Sequence, residues 1–233
     1  VTNRIKRLIK ELPMFGDLAR KIYWNRESKK TRPKRFSSSI SYWEERYSTG
    51  GNSGVGSYGK LAEFKATILN EFVAGHDLGS VIEFGCGDGN QLTLSKYPTY
   101  LGFDVSETAV AKCKKLFAGD ATKRFHLLAD YNGEKAALTL SLDVIFHLIE
   151  DDVFANHMRT LFESSDQYVI IYASDSDECD AHQAAHVRHR QFTTWIQQNI
   201  PQWKLIEHIP NKYPSQGDYA QGSFADFFVY AKA

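Results

Sequence analysis

The stretch VIEFGCGDGN, residues 81–90, decides how this sequence is read. Val81 to Phe84 read as a short strand. Gly85, Gly87 and Gly89 then follow at alternate positions, a turn made from the residue most free to take unusual dihedrals. A strand that runs into such a turn brings backbone close to a nucleotide-like ligand. Two phosphate-binding patterns fail here. The dinucleotide fingerprint is G-x-G-x-x-G, and the phosphate loop is G-x-x-x-x-G-K-[ST]. The spacing found is Glu83-x-Gly85-x-Gly87-x-Gly89, with no lysine after it.

Downstream of this turn, strand and helix patterns alternate. TYLGFDV reads as a strand and SETAVAKCKKLFA as a helix with Ser106 as its N-cap. RFHLLAD and ALTLSL are strands, EDDVFANHMRTLFES a helix, QYVIIYAS a strand, and HRQFTTWIQQN a helix stopped by Pro201. A further helix is expected to begin at GNQLTLSK. WKLIEHI and FADFFVYAK have no helical pattern between them and read as an antiparallel pair at one edge. Upstream, Leu61, Phe64, Ile68, Leu69, Phe72 and Val73 trace one face of a helix from Gly59. The expected fold is α/β, a Rossmann-like doubly wound seven-stranded sheet with an antiparallel C-terminal hairpin, preceded by an N-terminal helical arm.

The chain has 233 residues and 42% hydrophobic residues, enough for one sizeable core. Its three cysteines form no C-x-x-C pair, which argues against a disulfide framework or zinc knuckle and for a reducing, cytoplasmic setting. No signal-peptide pattern opens the sequence. Net charge is zero but unevenly spread: residues 1–36 carry twelve Lys and Arg against Glu11, Asp17 and Glu27. We divide the chain into this basic arm and linker, 1–36, and a single domain, 37–233. Ile5, Leu8, Ile9 and Leu12 share a helical face among basic residues, so the arm suits either peripheral contact with the inner face of an anionic membrane or a homodimer contact. The acidic remainder argues against a nucleic-acid partner.

In a doubly wound sheet, ligands bind beyond the carboxyl ends of the strands. Asp104 ends the second strand, Asp130 and Tyr131 the third, and Asp143 the fourth; Glu83 lies behind the glycine turn. Such a mouth repels an anionic dinucleotide and favours a cationic nucleoside. Asp104 suits the two hydroxyls of a ribose, Asp130 an exocyclic amine, and Tyr131 stacking on a purine.

With these residues in place, the chain resembles the class I S-adenosylmethionine-dependent methyltransferases. Glu83-x-Gly85-x-Gly87-x-Gly89 matches their first motif, Asp104 and Asp130 the acidic residues after the second and third strands, and SLDVIFHLIED their fourth motif. YWEERY, the Gly/Ser loop, IEFGCGDGNQL and HVRHRQF are similar to a narrower branch that includes sugar O-methyltransferases of bacterial polysaccharide pathways. The resemblance implies S-adenosylmethionine as cofactor and a sugar or glycan hydroxyl as acceptor. It also implies cofactor contacts from Tyr42, Arg46, Glu83, Gly85, Gly87, Gln91, Asp104, Val105, Asp130 and Tyr131. A small-molecule acceptor, or a cofactor-binding subunit without chemistry, is the alternative.

For the chemistry, His147 is the expected general base, with Asp143 four residues earlier orienting it or the acceptor; a carboxylate beside the imidazole would raise its basicity. The competing arrangement is Mg²⁺ held by Asp143 with Asp175 or another nearby acid. In the run AHQAAHVRHR, His182, His186 and His189 have spacings of four and three, which suit metal ligands on one helical face. Substrate contact through Arg188 and Arg190, or a solvated turn, are the other readings, and His186 is the next candidate base. The letters Y-x-x-x-K at Tyr131–Lys135 also occur in short-chain dehydrogenases, but Asn132-Gly133 is a turn signal that breaks the helix this pair needs.

Overall fold

The computed structural model of the protein describes residues 36–178, 184–215 and 222–233. The basic arm, His182 and Cys179 lie outside the described residues. Seven strands form one sheet in the order β3-β2-β1-β4-β5-β7-β6. They are β1 Val81–Phe84, β2 Tyr100–Asp104, β3 Lys123–Leu127, β4 Ala136–Leu142, β5 Ser165–Ala173, β6 Trp203–Ile209 and β7 Asp226–Lys232. The first five are parallel; β7 runs antiparallel to both β5 and β6, so the C-terminal pair closes one edge as the sequence suggests.

Alternation along each strand sends side chains to two cores. Val81, Tyr100, Leu138 and Ile170 pack with α2 (Gly59–Gly75) and α3 (Glu107–Leu116). Ile82, Phe103, Val169 and Phe228 pack with α4 (Asp151–Glu163) and α5 (Phe192–Asn199) on the other face. No helix among the described residues is long and apolar enough to cross a membrane.

Three local expectations change. GNQLTLSK forms only a 3₁₀ turn at Gln91–Leu94, and the chain then runs directly to β2. Pro98 disfavours helical dihedrals at Tyr97, and Asn70 of α2 receives the extended chain through Lys96 N and Leu94 O. Second, residues 39–48, read only as aromatics before a loop, form helix α1 (Ser39–Ser48), whose N-cap Ser38 accepts from Ser41 N. Third, the buried face of α2 is rotated. Leu61, Ala62, Lys65, Ala66, Leu69, Phe72 and Val73 are buried, while Phe64 and Ile68 are only partly so. A lysine therefore lies in the middle of an apolar stripe.

α3 is capped as its sequence predicts: Ser106 Oγ accepts from Ala109 N at 3.1 Å. The same hydroxyl donates to Glu44 Oε2 of α1 at 2.6 Å. Ser106→Ala should cost at least the ordinary N-cap contribution of about 1 kcal/mol. Thermal unfolding should then show a melting temperature lower by about 2–4 °C; an unchanged midpoint would remove this cap from the account of α3.

Candidate functional site

A cavity of about 490 Å³ opens at the carboxyl ends of β1, β2 and β4, within the size range of sites for small ligands. Its floor is the glycine turn. Gly85, Gly87 and Gly89 have φ of +91°, +59° and +79°, a region closed to most side chains. Packing adds a second reason at Gly85, where an added Cβ would stand 2.4 Å from Val144 Cγ2.

Asp104 ties this turn to the next. It accepts from Gly87 N at 2.9 Å and Ser106 N at 2.9 Å. Burial pushes its carboxyl up to about 6, against the lowering effect of the Ser106 and Gly87 amides. Glu83 is also buried, accepts from Tyr100 OH at 2.6 Å, and is pushed up to about 7 by that burial.

Lys65 crosses from α2 to the end of β4. Its Nζ donates to Asp143 Oδ2 at 2.6 Å and lies 5.2 Å from the Tyr172 ring centroid. Asp143 takes a left-handed conformation with φ +59°. Asp143 therefore pairs with Lys65 and not with His147. What fixes His147 is the backbone of His186: Nδ1 lies 2.9 Å from its carbonyl oxygen. A carbonyl can only accept, so Nδ1 carries the proton and Nε2 the lone pair. Burial pushes the imidazole down to about 4, so it is neutral at physiological pH. The expected carboxylate support for this histidine is corrected on both counts, contact and direction.

α1 and the loop 49–58 form the roof. Glu44 accepts from Ser106 and Thr108 at the start of α3. Ser39 Oγ lies 2.7 Å from both Glu150 Oε2 and the His147 carbonyl, which share its one proton. Ser53 and Asp88 exchange two hydrogen bonds, and Tyr58 OH donates to the same carboxylate. Trp43 packs edge-on against His147 at 4.9 Å.

Of the residues singled out in sequence, Glu83, Gly85, Gly87, Gln91, Asp104, Val105, Asp143 and His147 line this one cavity. The others are placed elsewhere. Tyr131 packs edge-on against Phe84 and Phe103, and its hydroxyl meets Ser164 Oγ, so its ring is used by the core. Asp130 is exposed at the end of a 3₁₀ turn. Tyr42 stacks on the His186 ring at 4.3 Å, and Arg46 Nε donates to Asn52 O. Neither is part of the lining, nor is His186 itself. His186 and His189 sit in a non-helical segment, and His189 bonds Ser174, which removes the helical-face arrangement. Asp175 accepts from Thr193 N and Oγ1 at the start of α5. With Asp143 on Lys65, the proposed Mg²⁺ pair is not assembled, and no cluster of three metal-ligating side chains occurs among the described residues.

Sequence reading missed Lys65, Trp43, Tyr47, Ser53 and His157, all of which line the cavity. For Lys65 a signal existed: it stands four residues from both Leu61 and Leu69, at a core position of the stripe. His157 lies two turns into α4, with Nε2 2.9 Å from Ser141 Oγ.

No protein-family model matches the sequence, and no curated protein matches it. Solved structures do match in fold. The N-methyltransferase NodS from Bradyrhizobium japonicum WM9, in complex with S-adenosyl-L-homocysteine, superposes with a TM-score of 0.65 at 12% identity, covering 84% of this chain and 99% of that one. Magnesium protoporphyrin IX methyltransferase from Synechocystis PCC 6803 gives 0.59 at 12% identity over 83% and 98%. The methyltransferase domain of bacterial CtHen1-C gives 0.59 at 17% identity over 75% and 100%. The chain thus has the Rossmann-like fold of these methyltransferases.

The raised Glu83 carboxyl has a direct consequence for stability. Above the ordinary carboxylate range an unfolded glutamate is charged while the folded one still holds its proton. Stability is therefore fully present at low pH and lost as pH rises through about 7. Glu83→Gln keeps an acceptor for Tyr100 and cannot ionise. In urea titrations the variant should match the wild type near pH 4, and exceed it by up to about 3 kcal/mol at pH 8. Equal pH slopes for the two proteins would refute a raised Glu83.

Proposed function

We propose that this protein is an S-adenosylmethionine-dependent O-methyltransferase whose acceptor is a hydroxyl of a sugar or glycoconjugate. The observation that carries the reading is the convergence, on one cavity, of the glycine turn, the Asp104 carboxylate, a Gln91 Oε1 without a partner among the described residues, and a neutral His147. The residues fit the cofactor. Asp104 takes amides from Gly87, Ser106 and Val105 and, with about four acceptor sites on its two oxygens, keeps lone-pair capacity for a ribose hydroxyl. Val105 and Leu128 offer apolar surface to a purine. The acidic surroundings suit a cationic ligand.

S-adenosylmethionine, when bound, supplies a methyl group activated on a sulfonium. The chain's own part is to place a hydroxyl and take its proton. A hydroxyl is a poor nucleophile until that proton is removed as the new bond forms. His147 Nε2 is the acceptor for it, held in one tautomer by the His186 carbonyl. Trp43 gives a flat apolar wall beside it, on which the C–H face of a sugar ring can rest. The hydroxyl acceptor and the polysaccharide setting are supported by the motif resemblance together with this base. The basic arm, residues 1–36, is proposed to hold the enzyme peripherally at an anionic, cytoplasmic membrane face.

Labelled methyl transfer to glycan extracts tests the reading; selective labelling of RNA or protein would overturn the acceptor class. His147→Ala should lower kcat by roughly 10²–10⁴-fold, with no response to chelator in either protein. The pH dependences should separate. Cofactor binding should weaken as pH falls through about 6, where Asp104 protonates, while kcat falls only near pH 4, where His147 does. A kcat limb at the ordinary histidine value would remove His147 as the base. For the arm, the intact chain should sediment with anionic vesicles at low salt and be released by high salt. If it does not sediment, the arm is a contact between copies, and a monomer–dimer shift on its deletion should appear instead.

A further inference from the structure

We propose that Lys65 and Gln91 form a receptor for an α-amino-acid zwitterion, Lys65 Nζ binding the carboxylate and Gln91 Oε1 the α-ammonium of the cofactor. This rests on the S-adenosylmethionine reading and assigns the chain's own anchor for the non-nucleoside end.

Lys65 is 1% exposed, in the centre of the buried face of α2. A buried ammonium is costly unless paired, and helix packing alone would be served by an apolar residue. Its one hydrogen bond among the described residues goes to Asp143 and uses one of three donors. Gln91 is buried too. Its Nε2 donates to Ala62 O at 3.0 Å, and its Oε1 has no hydrogen-bond partner among the described residues. Ala62 and Lys65 are three residues apart and share a face of α2, so the bond to Ala62 holds the carboxamide beside the turn that carries the ammonium. Both side chains line the cavity.

A fixed cation with donors to spare and a fixed acceptor with no partner among the described residues thus line the same cavity. A phosphate would satisfy Lys65 but would face Gln91 Oε1, Glu83, Asp104 and Asp143. A simple amine would satisfy the acceptors but meet Lys65. A group with both signs, and no net charge, satisfies all of them. The mostly buried Asp143 carboxylate, still partly open to the cavity, can share the ammonium of Lys65 with an incoming carboxylate.

The test compares two ligands by calorimetry: S-adenosylhomocysteine, which has the amino-acid end, and 5′-methylthioadenosine, which lacks it. The wild type should bind the first more tightly. Lys65→Met should weaken S-adenosylhomocysteine roughly ten- to hundredfold and leave methylthioadenosine within about twofold, the scatter expected where no contact is lost. Should Lys65→Met not fold, because Asp143 is left unpaired, the double variant Lys65→Met/Asp143→Asn removes both charges and must show the same loss of discrimination. Gln91→Leu should also act on S-adenosylhomocysteine alone. Equal effects on both ligands, or on neither, overturn the receptor while the cofactor reading stands. A wild type that binds neither nucleoside overturns the cofactor reading itself.

Discussion

One carboxylate holds the two halves of the site in register. Asp104 ends β2 and accepts at once from the amide of Gly87, in the turn after β1, and from that of Ser106, at the head of α3. Without it, two neighbouring strand tips would each present unsatisfied donors to a buried space. The bond network continues outward. Ser106 Oγ donates to Glu44, so the position of α1 is set by the same residue that caps α3. From glycine turn to roof, the order is Gly87, Asp104, Ser106, Glu44. This also explains why a carboxylate is kept in so buried a place. Its burial raises the energy of the charged form, and the amides of Ser106, Gly87 and Val105 recover part of that cost.

The electrostatics of the cavity follow from one cation set among acids. Glu83, Asp104 and Asp143 would repel one another if all were ionised in a low-dielectric space. Lys65 bonds Asp143 directly and lowers the Glu83 carboxyl against the effect of burial. The left-handed backbone at Asp143 brings its carboxylate to the lysine, and the loop follows: a Cβ on Gly56 would stand 2.7 Å from Asp143 Oδ2. The loop 49–58 therefore lies against the ion pair at Gly56, where a side chain would meet the carboxylate. The three glycines after β1 are needed for their dihedrals first, and only then for closeness to any ligand.

The sheet was legible because its signals are local and repeated. Each parallel strand but β3 (KRFHL) holds a short apolar run, the helices after β1 are amphipathic stretches, and Ser106 is a cap in both readings. Asp104 was legible because it sits at a strand tip next to a glycine turn. What could not be read depends on distant partners. Tyr131 looks available to a purine from its place after β3, but Phe84 and Phe103 from two other strands claim its ring. Asp143 and His147 are four apart in sequence, which suggests a pair. Lys65, 78 residues from Asp143, takes the carboxylate instead. α2 was traced by its largest apolar residues, and its true face is rotated toward a lysine, which hydrophobic periodicity counts as solvent-facing.

The two kinds of legibility divide the site. Its floor, the strand tips with Gly85, Gly87, Asp104 and Val105, is produced by the sheet, and any chain with this alternation and these turns would build something like it. Its roof is different. α1 and the loop 49–58 precede the alternating pattern, carry no strand, and are fastened by side-chain hydrogen bonds to Glu150, Asp88 and the head of α3. Such bonds demand only a polar atom at the right place, which a sequence does not announce. Trp43 and Tyr47 reach the cavity from this roof, and His147 meets it through Trp43. Floor and roof therefore differ in origin: the floor follows from a fold that serves many unlike functions, whereas the side chains the roof brings to the cavity are particular to this chain.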